Sequence, residues 1–148
     1  MEHVMRGTAI VNGCCAGPAL VSPEPFSFWG GYDPRTGTII DRQHPLQGTK
    51  ATGSVLAVPR TRGSSTTTTV LLEAVRAGTA PAAILTMGVD PFLALAAIIA
   101  QELYGKSVPI VALSPEDFAE LRTGDWIHLE ESGFLTRIPA GLPDRAGL

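Results

Sequence analysis

The sequence is short of charge. Only 17% of its 148 residues are charged, eleven Lys and Arg against fourteen Asp and Glu, for a formal net charge of -3. A nucleic-acid backbone or an anionic membrane selects the opposite sign, gathered in a patch, so neither is expected as a partner. Cysteine is scarce as well, and the two residues present, Cys14 and Cys15, are neighbours. Adjacent cysteines close a disulfide only through a strained ring, and their spacing matches neither a CxxC zinc or redox pattern nor a cluster ligand set. Buried, reduced thiols are expected, with no metal held by this chain. Long apolar runs are missing: the longest, Phe92 to Ala100, is half of what a bilayer-spanning helix needs. Residues Met1 to Arg6 carry no basic segment leading into an apolar stretch, so no secretory signal is expected and the cytoplasm is the expected location.

What is present is enough for one core. Apolar residues make up 45% of the chain, sufficient to close a domain of this length without disulfides or metals. A single domain is expected over residues 1–138, followed by a loose tail over 139–148 that carries two Pro and two Gly and no periodicity. A surface this poor in charge also points to partial cover by another chain.

Sixteen Gly and twelve Pro cut the chain into short elements. Strands are predicted at Thr8–Val11, Pro18–Val21, Thr38–Ile40 and Gly53–Pro59, bounded by Gly, Pro and Asp. The pattern then changes. Val70, Leu71, Ala74 and Val75 recur at helical spacing within 64–77, and Arg76 and Gly78 supply the stop. A buried strand follows at 82–85, and Asp90-Pro91 opens a second helix with an acid at the cap and proline at the first position. Strand 108–113, a short Ser114-Pro115 helix through Leu121 and strand 126–129 complete the order. Early strands followed by alternating strand and helix predict an α/β fold of swivelling β/β/α type: a partly parallel layer packed by helices, with the early strands forming a second sheet or barrel half.

Arg60-Thr61-Arg62-Gly63-Ser64-Ser65-Thr66 joins a buried strand to a helix, where backbone N–H groups are unsatisfied and the helix dipole is positive. Ser64 or Ser65 there is either a helix cap or part of an anion site. Four consecutive threonines, Thr66 to Thr69, are poor helix formers whose β-branching must be offset by packing or a partner surface. Phe28-Trp29-Gly30-Gly31-Tyr32 reads as a loop whose aromatics either close the core or face a partner. His44, three residues after Asp41, is either a ligand-contacting group or a loop anchor; His3 and His128 are less specific. No Ser-His-Asp arrangement is legible from the sequence.

Taken together, the stretch Phe26–Glu73, with FWGGYDPRTGTIIDRQHPLQG from Phe28 and SVLAVPRTRGSSTTTTVLLE from Ser54, and the segments Thr79–Ile84 and Leu121–Asp125 resemble the swivel-domain small subunit of the aconitase X family. The likeness runs from Arg6 to Leu129, with the Gly-Gly-x-Asp-Pro, Asp-x-x-His-Pro-Leu and Arg-Gly-Ser-Ser-Thr motifs in order. A wider resemblance ties the turn to the small subunits of aconitase and isopropylmalate isomerase, where an arginine follows Gly-Ser-Ser; here Thr66 stands in its place. The substrate-carboxylate contact made there must come from elsewhere, Arg62 or the large subunit.

The resemblance implies a hydro-lyase in two parts. A large subunit carries an iron-sulfur cluster and most substrate contacts, while the swivel subunit closes over the site and supplies a catalytic serine. That serine matches Ser64, with Arg62, Gly63 and Ser65 beside it as substrate contacts. The substrate implied is a small hydroxy acid: cis-3-hydroxy-L-proline, dehydrated to Δ1-pyrroline-2-carboxylate in bacterial members, or mevalonate 5-phosphate in archaeal ones. A separate small chain with a C-terminal extension looks more like the bacterial arrangement, which favours hydroxyproline. A serine is a competent base only if its alkoxide is stabilised, and the helix start with Arg60 or Arg62 offers the means. Two other classes remain. A mobile phosphohistidine carrier would need a histidine at an exposed helix start, which the sequence lacks; a non-catalytic binding subunit would use Ser64 as a cap alone.

Overall fold

A computed structural model describes residues 3–63 and 65–140. In chain order the elements are β1 (His3–Arg6), β2 (Thr8–Val11), β3 (Cys15–Val21), β4 (Tyr32–Asp33), β5 (Thr38–Ile39), β6 (Val55–Val58), α1 (Ser65–Ala77), β7 (Ala83–Met87), α2 (Pro91–Tyr104), β8 (Ile110–Leu113), α3 (Pro115–Glu120), β9 (Trp126–Leu129) and β10 (Phe134–Ile138).

Eight strands form one sheet in the order β1-β10-β9-β3-β6-β7-β8-β2, and β4 pairs with β5 outside it. The segment β3-β6-β7-β8 is parallel, and every residue of β6 is buried, as a strand covered on both faces requires. The flanking pairs are antiparallel. The two edge strands, β1 and β2, are consecutive in the chain and separated by Gly7 alone. The sheet must therefore curl until its edges meet, and it nearly closes into a barrel. Gly7 permits that junction: a Cβ there would lie 2.2 Å from Val111 Cγ1, inside any allowed contact.

One core fills the interior of the curl, where Met5, Val55, Val111, Ile127 and Leu135 meet Phe118 of α3. The other lies outside it, between the sheet and α1, α2 and the 26–51 segment. The helix starts follow the sequence closely. Asp90 Oδ1 accepts from the N–H groups of Phe92 and Leu93 at 3.1 and 3.3 Å, and Ser114 Oγ accepts from Asp117 N–H at 3.2 Å.

Several expectations are corrected. The barrel half apart from the parallel strands is not built from early strands alone: β1 and β3 combine there with β9 and β10. Neither β1 nor β10 was legible, because HVMR and FLTRI mix charge with apolar residues and find their pairing across 130 residues of chain. The aromatic loop is core rather than contact surface. Phe26, Phe28 and Tyr32 are buried, with Phe26 edge-on to Phe28 at 5.0 Å, and Trp29 alone of the group is exposed. Of the tail expected to be loose, 141–148 lies outside the described residues; Ala140 N–H is held by Asp125 Oδ1 at 3.1 Å.

That Asp125 ties the start of β9 to its neighbours β3 and β10. Its carboxylate pairs with buried Arg137 at 2.9 Å and accepts from Arg122 N–H at 2.9 Å, while its carbonyl accepts from Ala19 N–H at 2.8 Å. The Leu121–Asp125 motif is thus the splice between α3 and β9.

Candidate active site

The parallel strands β3, β6 and β7 end at one rim of the sheet, where ligand crevices of open α/β sheets lie. Into that rim opens a groove of about 690 Å³ whose walls include Pro23, Pro25, Pro45, Pro59 and Phe118, with the guanidinium-bearing Arg60 and Arg122 on its lining. Pro59 and Arg60 begin the connection from β6 to α1, so the groove and the Arg60–Ser65 turn share a border.

The turn is held by its backbone. Thr61 bridges Phe26: Phe26 N–H donates to Arg60 O at 3.0 Å, and Arg62 N–H donates to Phe26 O at 2.9 Å. Asp90 ties it to α2, because Oδ2 accepts both the Thr61 N–H at 2.9 Å and the Thr61 hydroxyl at 2.6 Å, leaving Oδ1 to cap the helix. Arg62, Gly63 and Ser65 are exposed, and Gly63 has φ +107. That angle strains any L side chain, and a Cβ would also meet Thr66 Oγ1 at 3.1 Å. Ser64 lies outside the described residues. Among those described, neither Arg60 nor Arg62 is ion-paired, so both charges are available to an anion.

The threonine run finds its compensation here. Thr67, fully buried, donates to Arg62 O at 3.4 Å; Thr68 donates to Phe92 O at 3.1 Å, and Thr69 donates to Ser65 O at 3.1 Å. The Thr67 and Thr68 hydroxyls fasten the first turn of α1 to the preceding turn and to α2, and Thr69 bonds back within the helix, work that alanine could not do.

His44 proves to be an anchor. Buried against Phe26, ring centroids 5.4 Å apart, it accepts the Leu46 N–H on Nδ1 at 3.0 Å. Nε2 therefore carries the proton and donates it to Ser22 Oγ at 2.8 Å, whose own hydrogen goes to Glu24 O at 2.6 Å. Every polar atom of the pair is committed, so this serine and histidine form a clip and not a nucleophile with its base. Asp41 Oδ1 accepts from Gln43 N–H at 3.0 Å and shapes the turn that delivers the ring. Removing the ring strands Leu46 N–H without a partner and takes from Ser22 Oγ the donor it accepts from. His44→Ala is expected to cost about 1–3 kcal/mol by denaturant unfolding, and an unchanged midpoint would refute the clip.

An iron-sulfur cluster needs several converging soft ligands. Cys14 is exposed and Cys15 half-buried beside it, Cys15 packing on the interior core. Among the described residues no three His, Cys, Asp or Glu side chains come together as a metal site. The described residues do not fit the cluster. Burial, reinforced by the neighbouring Cys14, pushes the Cys15 thiol up to about 11, so at pH 8 roughly one molecule in a thousand carries the reactive thiolate there. Iodoacetamide at that pH is expected to label Cys14 at least about ten times faster than Cys15 in the folded chain, read by peptide mass spectrometry, with the difference vanishing in denaturant. Equal rates in the folded chain would contradict the burial.

Sequence reasoning placed the turn but missed one of its supports and one residue of the adjoining groove. Asp90 carried a visible signal, the cap-plus-proline pair, yet its second bond to Thr61 depends on tertiary placement. Arg122 lies within the Leu121–Asp125 motif, which gave no sign that its side chain lines the groove.

A swivelling α/β barrel with an anion-ready turn at the strand ends is the architecture of an aconitase-type small domain. The chain belongs to the aconitase X swivel-domain family, whose model matches residues 4–136. It is 46% identical over 129 residues to a cis-3-hydroxy-L-proline dehydratase of Pseudomonas aeruginosa, covering 87% of this chain and 22% of that one. It is 41% identical over 112 residues to a phosphomevalonate dehydratase small subunit of Methanothermobacter thermautotrophicus, covering 76% and 81%. The crystal structure of Thermococcus kodakaraensis aconitase X in its holo form superposes with a TM-score of 0.82 at 29% identity, covering 93% of this chain and 99% of that one. The chain thus spans about a fifth of the length of the hydroxyproline dehydratases it matches. Among the described residues no helix is long and apolar enough to cross a membrane.

Proposed function

We propose that this chain is the swivel part of an aconitase X dehydratase that removes water from cis-3-hydroxy-L-proline, giving Δ1-pyrroline-2-carboxylate in the cytoplasm. It works with a larger aconitase X subunit that holds the iron-sulfur cluster. The proton on the carbon next to the carboxylate leaves to a base, and the hydroxyl on the adjacent carbon departs as water; the resulting enamine tautomerises to the cyclic imine. Ser64 takes the proton. Its alkoxide is stabilised by the amides opening α1 and by the unpaired Arg62, and Arg62, Gly63 and Ser65 contact the substrate. Departure of the hydroxyl is left to groups outside this chain.

The observation that carries the proposal is the turn itself. It combines a glycine at φ +107, two cations without carboxylate partners among the described residues and a 13-residue helix beginning at Ser65, all at the rim of the parallel strands. Identity favours hydroxyproline, at 46% against 41% for the phosphomevalonate relative. Relatives named small subunits are phosphomevalonate enzymes, which, with two arginines on one groove, sustains mevalonate 5-phosphate as the second reading.

The test is to assemble the chain with the large aconitase X subunit of its own genome and assay both substrates. Turnover of hydroxyproline, with mevalonate 5-phosphate untouched, is the expected result. The reverse preference would overturn the substrate and leave the dehydratase, and turnover of neither would overturn both.

A further inference from the structure

The second helix is apolar on both sides. Of its fourteen residues, PFLALAAIIAQELY, Glu102 is the one with charge. Leu93, Ala96, Ala97 and Ala100 supply its buried side. On the other side Phe92, Leu95 and Ile98 follow one another at intervals of three, 36%, 48% and 53% exposed, and Leu103 continues the face at 64%. Val89, just before the helix, is 65% exposed. A surface helix normally turns a polar face to water, and one that is apolar all round is a helix that something covers. This face contains four of the ten large exposed apolar side chains among the described residues, and Val89 adds a fifth.

We infer that the outer face of α2 is the docking surface for the larger aconitase X subunit. The inference rests on the proposed function and extends it by naming where the two parts meet. Two observations select that occupant. About four fifths of the hydroxyproline dehydratases lies beyond the segment this chain matches, so a body several times the size of this domain must be accommodated on its surface. Moreover, the apolar face starts at the site. Asp90, which caps α2, holds Thr61 with the same carboxylate, and Phe92 O accepts from Thr68 of α1. A body that closes over the Arg60–Ser65 turn meets Phe92 next and can follow Leu95 and Ile98 along a helix of about 20 Å. Docking there would hold the turn against the partner through Asp90, with no charge to desolvate over the first ten residues of the helix.

The experiment compares the wild-type chain with Leu95→Glu/Ile98→Glu, both positions being solvent-facing and glutamate a good helix former. Val4→Glu, at an exposed site on β1, is the control. Each is titrated with the large subunit of the same genome, and each is melted and sedimented alone. The double variant is expected to keep the wild-type melting temperature and to lose at least about 100-fold in affinity for the large subunit, as loss of central apolar anchors does, with the control unaffected. Wild-type affinity in the double variant would overturn the inference, as would an equal loss in the control. So would a wild-type chain that sediments alone as a dimer, which the double variant dissociates while binding the large subunit normally; a second copy would then be the occupant. A wild-type complex that forms and is weakened by the double variant, but dehydrates neither substrate, would sink the proposed function and keep the interface. A double-variant complex of full affinity and full activity would do the opposite, and a wild-type chain that binds no large subunit would overturn both.

Discussion

Ser64→Ala is expected to lower turnover of the assembled dehydratase by about two orders of magnitude or more, the cost of deleting a positioned base. Folding and assembly should barely change, since losing a hydroxyl at a helix start costs roughly 1 kcal/mol. The two effects differ enough to be separated in one preparation, with affinity for the large subunit and thermal melting measured beside the rate. Ser65→Ala is the internal comparison. Its residue sits on the first position of α1 and its carbonyl accepts from Thr69, a bond the substitution leaves in place, so its rate should fall much less. A Ser64→Ala complex that assembles and keeps near-full turnover would reduce the serine to a cap and move the base to the partner. A pH profile adds a second readout, because loss of the base should remove the limb it governs while any remaining activity keeps the partner's dependence.

The largest effect on stability is expected at Asp125. It is 1% exposed and its partner Arg137 is 8% exposed. Among the described residues the Arg137 Nε lacks a hydrogen-bond partner, and Asp125 is the carboxylate that pairs with the guanidinium. Asp125→Ala would leave a buried charge unpaired and strand the N–H groups of Arg122 and Ala140. Breaking a buried pair from one side costs about 3–5 kcal/mol, a melting-point drop on the order of 10 °C for a chain of this size. Replacing both residues with apolar ones of similar volume should recover much of the loss. A drop below about 1 kcal/mol in Asp125→Ala would mean that water reaches the pair, the ordinary condition of a weak ion pair.

The contrast between these two positions shows what the sequence could say. Elements whose reasons are local were legible. Strand Thr8–Val11 and strand Trp126–Leu129 fall where their β-branched and apolar runs predicted, and the Asp90-Pro91 and Ser114-Pro115 starts carry their caps in four or five residues. The Arg60–Ser65 turn was legible for the same reason, a glycine and hydroxyl residues between a buried strand and a helix. Elements whose reasons are distant were not. Strand β10 exists because β1 and β9 flank it, and Arg137 is tolerable inside it because Asp125 lies opposite. The loop around Phe28 could close the core or face a partner, and only its packing with β6 and α1 decides for the core. The Phe92–Ala100 run illustrates the limit differently: its composition excluded a membrane span, but only the packing of Leu93 and Ala97 inward reveals that Leu95 and Ile98 are left outside.

The helix and the turn converge on one claim, that this chain completes an enzyme that is inactive without it. The most direct test is to titrate the chain into the large subunit and follow formation of the cyclic imine from cis-3-hydroxy-L-proline. The expected result is no product from either part alone and a rate that rises with added chain until it saturates. A large subunit already active by itself, with a rate that added chain does not change, would contradict the account.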